Sequence, residues 1–285
     1  MTPSLQIGSA TVIALTDGEG PFFAERSEAF PNATAEQWDA ADRFDPGSVT
    51  GDGRWWLQFR AFAIRDDTGI TVVDAGIGPA DGPAASWAPV PGRLPAELAA
   101  AGIDPADVDT VVLTHLHTDH VGWAVVADGP ERRPFFANAR YVLQRREVDA
   151  VEELNPQLRE ILIEPLREAG RLAAVDGEHA LTRRSRVVPT PGHTPGHQSV
   201  LVESGGGLVA VTGDVLVHAV QLLHPEVAYE LESDRRTARE SREALLRRVA
   251  EAGGSIATPH LTEPFAAAGR RGPGGSAVPP GGGSS

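Results

Sequence analysis

The amino-acid sequence predicts an α+β protein built as one domain, and three observations carry that expectation. Short apolar or alternating runs of strand type recur along the chain, and longer stretches between them show helical periodicity with cap and stop residues. Five groups of histidine or acidic residues each follow directly on a predicted strand end. At 285 residues the chain can bury one large core, and nothing in its length forces a division.

In order, residues 9–15, 55–64 and 70–73 read as strands around an insertion, residues 20–52, that is rich in aromatics and carries a helical pattern over 34–44. Residues 92–101 predict a helix stopped at Gly102, and 110–113 a short apolar strand buried on both faces. A strand over 140–144 precedes a charged stretch, 147–172, expected to be helical. Strands return at 186–188 and 199–203, and Gly205, Gly206 and Gly207 supply a hairpin turn into 208–212. Ser233 and Asp234 offer an N-cap for a long amphipathic helix to about Ala252, Gly253 and Gly254 stop it, and 255–257 reads as a last strand. The domain is expected to span 1–268, and the Gly-, Pro- and Ser-rich tail 269–285 to be disordered.

A formal net charge of -14 repels phosphate backbones and anionic lipid, so neither nucleic acid nor a membrane surface is an expected partner, and a small neutral or cationic molecule fits better. The chain holds no cysteine, so disulfides are excluded and a metal site must be built from His, Asp, Glu or water. Residues 1–8 lack a basic start followed by an apolar stretch, and no window reaches the length of a membrane span, which makes a cytoplasmic location the expectation.

The densest chemistry lies at His115-Leu116-His117-Thr118-Asp119-His120, directly after Val111-Val112-Leu113. Three imidazoles and a carboxylate within six residues serve no core, whereas such donors are what zinc and its first-row neighbours prefer. His115 and His117, at i and i+2 on extended backbone, point to one side, while Asp119 and His120 fall where the chain turns. One turn can therefore face two metal positions. Asp74, His193, Asp214 and His260 also follow strand ends, as ligands do in a crevice at the carboxyl ends of strands. Two ions about 3.5 to 4 Å apart need a bridging carboxylate, the natural task of Asp214 after the Gly213 turn, and His193 and His260 complete the two sets.

With Pro191-Gly192-His193, Thr212-Gly213-Asp214 and Thr258-Pro259-His260 in order behind the HxHxDH stretch, the chain resembles the metallo-β-lactamase fold superfamily over residues 5–265. The resemblance implies a four-layer αββα sandwich and two divalent metal ions, zinc by expectation. It also implies one metal site of His115, His117 and His193, a second of Asp119, His120 and His260, and Asp214 between them. Asp74 resembles the acid that orients a ligand histidine without binding metal itself.

Such a centre implies hydrolysis by a metal-bridging hydroxide, with Asp119 holding one ion and handling the proton that moves to the leaving group. Residues 120–123 and 213–221 resemble the branch that contains acyl-homoserine-lactone lactonases and methyl-parathion-hydrolase-like enzymes. Lactone or carboxylic-ester hydrolysis of a small molecule is the first reading. Organophosphate triester hydrolysis is the alternative, followed by β-lactam or thioester hydrolysis or a non-hydrolytic metal-binding protein. Those lactonases often carry a tyrosine three residues beyond the bridging aspartate, where this chain has Val217, so the group that stabilises the oxyanion is unassigned.

His218, four residues after Asp214, is a catalytic candidate beside Asp119 and Asp214, with packing as its other reading. His197 reads as a structural hydrogen-bonding residue, and His179 and His224 as surface or core residues. For Phe22, Phe23, Phe30, Trp55, Trp56, Trp87 and Trp123 two readings stand, an apolar wall at the metal mouth or core packing. A homodimer would form through the same insertion.

Overall fold

A period of two along the strands decides which side chains meet. The computed structural model describes residues 2–86 and 90–268, so Trp87 and the tail expected to be disordered lie outside the described residues. Its first half runs β1 (Ser4–Ile7), β2 (Ala10–Pro21), α1 (Arg26–Ala29), α2 (Ala35–Phe44), β3 (Trp56–Asp66), β4 (Gly69–Val73), α3 (Leu94–Ala100), β5 (Thr110–Val112), α4 (Thr118–Val121), β6 (Val125–Asp128), β7 (Glu131–Pro134) and β8 (Arg140–Gln144). Next come α5 (Arg145–Asp149), α6 (Val151–Leu154), α7 (Glu164–Glu168) and β9 (Leu172–Val175). The second half adds β10 (His179–Ala180), β11 (Ser185–Pro189), β12 (Gln198–Ser204), β13 (Gly207–Val211), α8 (Ala219–Leu223), α9 (Arg235–Glu251), β14 (Ser255–Ala257) and β15 (Phe265–Ala267).

Two mixed sheets result. The first has seven strands in the order β1-β2-β3-β4-β5-β8-β9, antiparallel up to β4 and parallel beyond it. The second has six in the order β10 to β15, with β13 and β14 its parallel pair. Val12, Ala14, Phe62, Ile64, Val73, Val112 and Val142 face Val187, Val200, Val202, Val209 and Val211 between the sheets. The alternate residues Ile13, Ala63, Val72, Val111, Tyr141 and Leu143 turn outward beneath Leu94 and Leu98 of α3, Val148 of α5 and Leu166 of α7. On the far side Leu201, Leu208, Ala210 and Ile256 pack under Leu245 and Val249 of α9. The architecture is the α+β four-layer αββα sandwich, and slipping any of these strands by one residue would exchange its two faces.

Several expected elements stand as read. Thr34 caps α2 in a reciprocal box with Gln37, Asp234 caps α9 through the Thr237 amide, and Gly205 and Gly206 adopt the left-handed conformation (φ +59° and +81°) that a tight hairpin demands. The stretch 147–172 does not form one helix. It breaks at Asn155 and Pro156, widens into a π turn (Arg159–Ile163) just before Pro165, and gives way to β9 at Leu172. Prolines remove the amides a continuous helix would need. Strands β1, β6, β7, β10 and β15 were not expected, because they are short and mostly polar or exposed.

The register shift of β2 against β3 at Asp17 turns this buried carboxylate into a knot between loops. Its Oδ2 accepts from the Ile77 amide at 2.7 Å and the Gly78 amide at 3.2 Å, and its Oδ1 from the Leu94 amide at 2.5 Å and Trp123 Nε1 at 3.1 Å. Trp123 thus has a structural partner, packed on Phe135. Asp17→Ala would orphan these donors and is expected to cost about 3 kcal/mol. Thermal melting should show this as a drop of roughly 5 °C, and an unchanged melting temperature would refute the knot.

Candidate metal centre

The ends of β4, β5, β11, β13 and β14 deliver Asp74, the His115–His120 turn, His193, Asp214 and His260 to one place. Both sheets contribute, so the crevice lies across their shared rim and not at the edge of a single open sheet. Asp214 is placed by a conformation only glycine adopts freely: Gly213 has φ +53°, and a Cβ there would meet His197 Nε2 and Thr114 Cβ at 2.8 Å. His197 is fully buried, donates from Nδ1 to the Thr190 carbonyl at 3.1 Å and accepts the Asp214 amide on Nε2 at 2.9 Å. Burial drives its pKa down to about 3, which keeps the neutral ring this pattern needs.

Asp214 faces two sets of ligands with two oxygens. Its Oδ2 lies 3.7 Å from His115 Nε2 and 3.3 Å from His193 Nε2, which itself sits 3.0 Å from His117 Nδ1. Its Oδ1 lies 3.3 Å from His120 Nε2 and 3.1 Å from His260 Nε2. Asp119 Oδ2 joins this second set, 3.5 Å from His120 Nε2 and 3.8 Å from His260 Nε2. Among the described residues, His115 Nε2, His120 Nε2 and Asp214 Oδ1 are buried with no hydrogen-bond partner. Buried polar atoms are ordinarily satisfied, and imidazole nitrogens turned toward carboxylate oxygens are the donor set of a divalent metal, so these residues fit such ions.

Electrostatics distinguish the two sets. Burial, with help from neighbouring imidazoles, holds His115 and His193 well below the usual histidine range, leaving the neutral rings that coordinate metal. Burial opposes ionisation of Asp214, but His120, His260 and His193 outweigh it and keep the carboxyl well below its usual value. Burial likewise lowers His120, yet Asp214, Asp119 and Asp74 together hold it well above the ordinary value.

Around the cluster lies a frame of hydrogen bonds. Asp74 has the only positive φ (+62°) among described non-glycine residues. It accepts His120 Nδ1 at 2.9 Å and the Thr114 amide at 2.7 Å, and stays outside both candidate ligand sets. His260 Nδ1 donates to the Gln58 carbonyl at 2.8 Å. Two strongly placed residues had no signal in the sequence. Buried Glu147 accepts the amides of Leu116 and Gly196, both at 2.8 Å, and so ties the His117 and His193 loops together. Buried Arg60 holds the loop after His260 through the carbonyls of Leu261 and Thr262.

A cavity of about 180 Å³ opens on the cluster, with His117, Asp119, His193, Asp214 and His260 on its floor. Phe22, Phe23, Trp55, Leu57, Val217, Tyr229 and Leu231 form its walls, and Phe23 and Leu231 are the exposed large apolar residues among those described. Phe30 is buried behind the wall, and Trp56 lies outside the lining. The catalytic expectation for His218 is not what its placement supports. It is fully buried among Phe30, Trp38 and Trp55, caps α8 by accepting the Val220 amide on Nδ1 at 3.0 Å, and does not line the cavity. Burial and Arg26 lower its pKa to about 3, as a neutral cap requires. Tyr229, on the wall and stacked on His193, was not anticipated.

Residues 55–252 match the metallo-beta-lactamase superfamily, and the chain belongs to that superfamily. An N-acyl homoserine lactonase of Bacillus cereus is 31% identical over 123 residues, 43% of this chain and 44% of that protein. N-acyl homoserine lactonase AttM of Azorhizobium caulinodans is 40% identical over 121 residues, 38% of this chain and 40% of that protein. The matched segments span less than half the length of these relatives. Of solved structures, the hydrolase AbOPH in the beta lactamase superfamily superposes with a TM-score of 0.76 at 26% identity, over 92% of this chain and 91% of that one. AidC, a dizinc quorum-quenching lactonase, superposes with a TM-score of 0.74 at 22% identity, over 93% and 92%, a likeness of fold. Among the described residues no helix is long and apolar enough to cross a membrane.

Proposed function

We propose that this chain is a metal-dependent hydrolase that opens a lactone or carboxylic ester of a small molecule carrying an apolar group. The observation that carries the reading is the division of Asp214, one oxygen toward His115 and His193 and the other toward His120 and His260. Two divalent ions, zinc in this reading, would be held there, and when bound they supply Lewis acidity and hydroxide near neutral pH. The chain's own residues do the rest. Asp119, reachable from the cavity, is placed to move a proton toward the leaving oxygen, while Phe22, Trp55 and Leu57 exclude water and receive the apolar group. The lactonase relatives support the acyl substrate class, over the part of their length that is matched.

Phosphotriester hydrolysis is the second reading, favoured by Val217, which offers no donor where a lactonase tyrosine is expected. A hydrolysis screen on zinc-loaded, chelator-treated and Asp119→Asn protein decides between them, using acyl-homoserine lactones, aryl esters and dialkyl aryl phosphates. Metal-dependent turnover led by lactones or esters is expected. A lead by phosphotriesters would replace the first reading with the second, and inertness toward all three with two metals bound would remove both.

A further inference from the structure

Hydrolysis adds water across an acyl C–O bond: one C–O bond forms, the ester C–O bond breaks, and a proton passes to the leaving oxygen. Negative charge gathers meanwhile on the carbonyl oxygen, and a neutral donor held in place toward it lowers the barrier. The floor of this cavity offers mainly imidazoles and carboxylates committed to one another. Val217 carries no polar atom, Asn155 spends its amide on the Leu116 carbonyl at 2.8 Å, and the hydroxyl of Thr118 sits on the first turn of α4 without an aromatic box among the described residues to hold it.

Tyr229 differs from all of these. It is one of two tyrosines in the chain, and the other, Tyr141, is engaged through its hydroxyl with Phe136 and Ala124. Tyr229 is 5% exposed, and its ring lies parallel to that of His193, 5.9 Å away with 6° between planes. Phe22, Phe30 and Trp55 surround it at 6.2, 5.3 and 6.1 Å, which restrains the ring. Yet no described residue hydrogen-bonds its hydroxyl, and the residue lines the cavity beside Asp119 and Asp214.

Buried bonds pin the segment that carries it. Arg242 donates to the Val215 carbonyl at 2.8 Å, the Val227 carbonyl at 3.1 Å and Glu232 at 2.8 Å, and Gln221 joins the Val217 amide to Glu232. Asp214 and Tyr229 are thereby held in one rigid strap. A phenolic hydroxyl is a neutral hydrogen-bond donor at neutral pH.

We propose that Tyr229 donates a hydrogen bond to the substrate oxygen that gains charge, supplying from the segment between α8 and α9 the donor that position 217 lacks. Tyr229 keeps its own proton throughout. The proposal rests on the hydrolase reading, and its test separates the two. Tyr229→Phe preserves the ring and its stacking on His193. In zinc-loaded full-length protein it should lower kcat on the best acyl substrate about a hundredfold, leave KM within about threefold, and leave metal content and melting temperature unchanged. Calorimetry with hexanoate, a carboxylate of the product class, should show at least about fivefold weaker binding to the variant, matching the loss of one hydrogen bond. Wild-type kcat in the variant would overturn the proposal, as would loss of kcat accompanied by loss of metal, which would assign Tyr229 to holding His193. If wild-type protein hydrolyses no acyl substrate, the hydrolase reading fails, and hexanoate binding alone decides the role of Tyr229, equal affinity for both proteins overturning it.

Discussion

Asp119→Asn is expected to lower kcat by about three orders of magnitude while the fold survives. Asp119 stands at the second residue of α4, half-buried and open to the cavity, so its environment accepts an isosteric amide without a new void. What changes is chemistry. An amide carries no negative charge toward His120 and His260, whose Nε2 atoms lie 3.5 and 3.8 Å from Asp119 Oδ2, and it cannot take up a proton and release it. Both the second ligand set and proton delivery weaken together, and effects that act through one site do not add as independent terms. Steady-state kinetics with metal analysis and circular dichroism on the same preparation checks this. Wild-type turnover in the variant would remove Asp119 from the mechanism.

What the sequence shows of this site follows from how restrictive metal chemistry is. His115, His117, Asp119, His120, His193, Asp214 and His260 stand out because few residue types serve as ligands and each follows a strand with buried apolar residues. The inner strands were legible for a related reason: Val72, Val111 and Val209 lie in apolar runs that only a buried strand accommodates. Glu147 and Arg60 were not legible, because their partners are backbone groups 31 to 202 residues away, joined to them only by the finished fold. A charge within the stretch 147–172 reads as a solvated face, and the helix expected there is broken by prolines.

His218 shows the opposite failure. Four residues of separation from Asp214 suggested a shared pocket, but the turn Gly213–Val215 is followed by extended backbone at Leu216 and at His218 (φ -142°, ψ 154°), which carries the ring into the aromatic cluster behind the wall. Tyr229 reaches the same cavity from fifteen residues beyond Asp214, because α8 turns the chain back. Sequence distance predicts contact only along a regular element, and this strap is not one.

Asp214→Ala should reduce zinc from two equivalents toward one and lower turnover by three orders of magnitude or more, given that two-ion chemistry needs both positions. The substitution isolates the side chain. Alanine retains the amide that donates to His197 Nε2, and the local backbone (φ -94°, ψ 27°) is open to it, so the Gly213 turn should persist. What disappears is the one carboxylate shared by the two ligand sets. The first set keeps three imidazoles, His115, His117 and His193, a sufficient triad for one zinc. The second keeps Asp119, His120 and His260, but loses the oxygen 3.3 and 3.1 Å from its two imidazoles and with it one of the two carboxylates that balance a cation there. The second position should therefore empty first. Metal counting after dialysis against a weak chelator, with circular dichroism to confirm the fold, reads this directly. Two equivalents retained at full occupancy would show that Asp214 does not bridge.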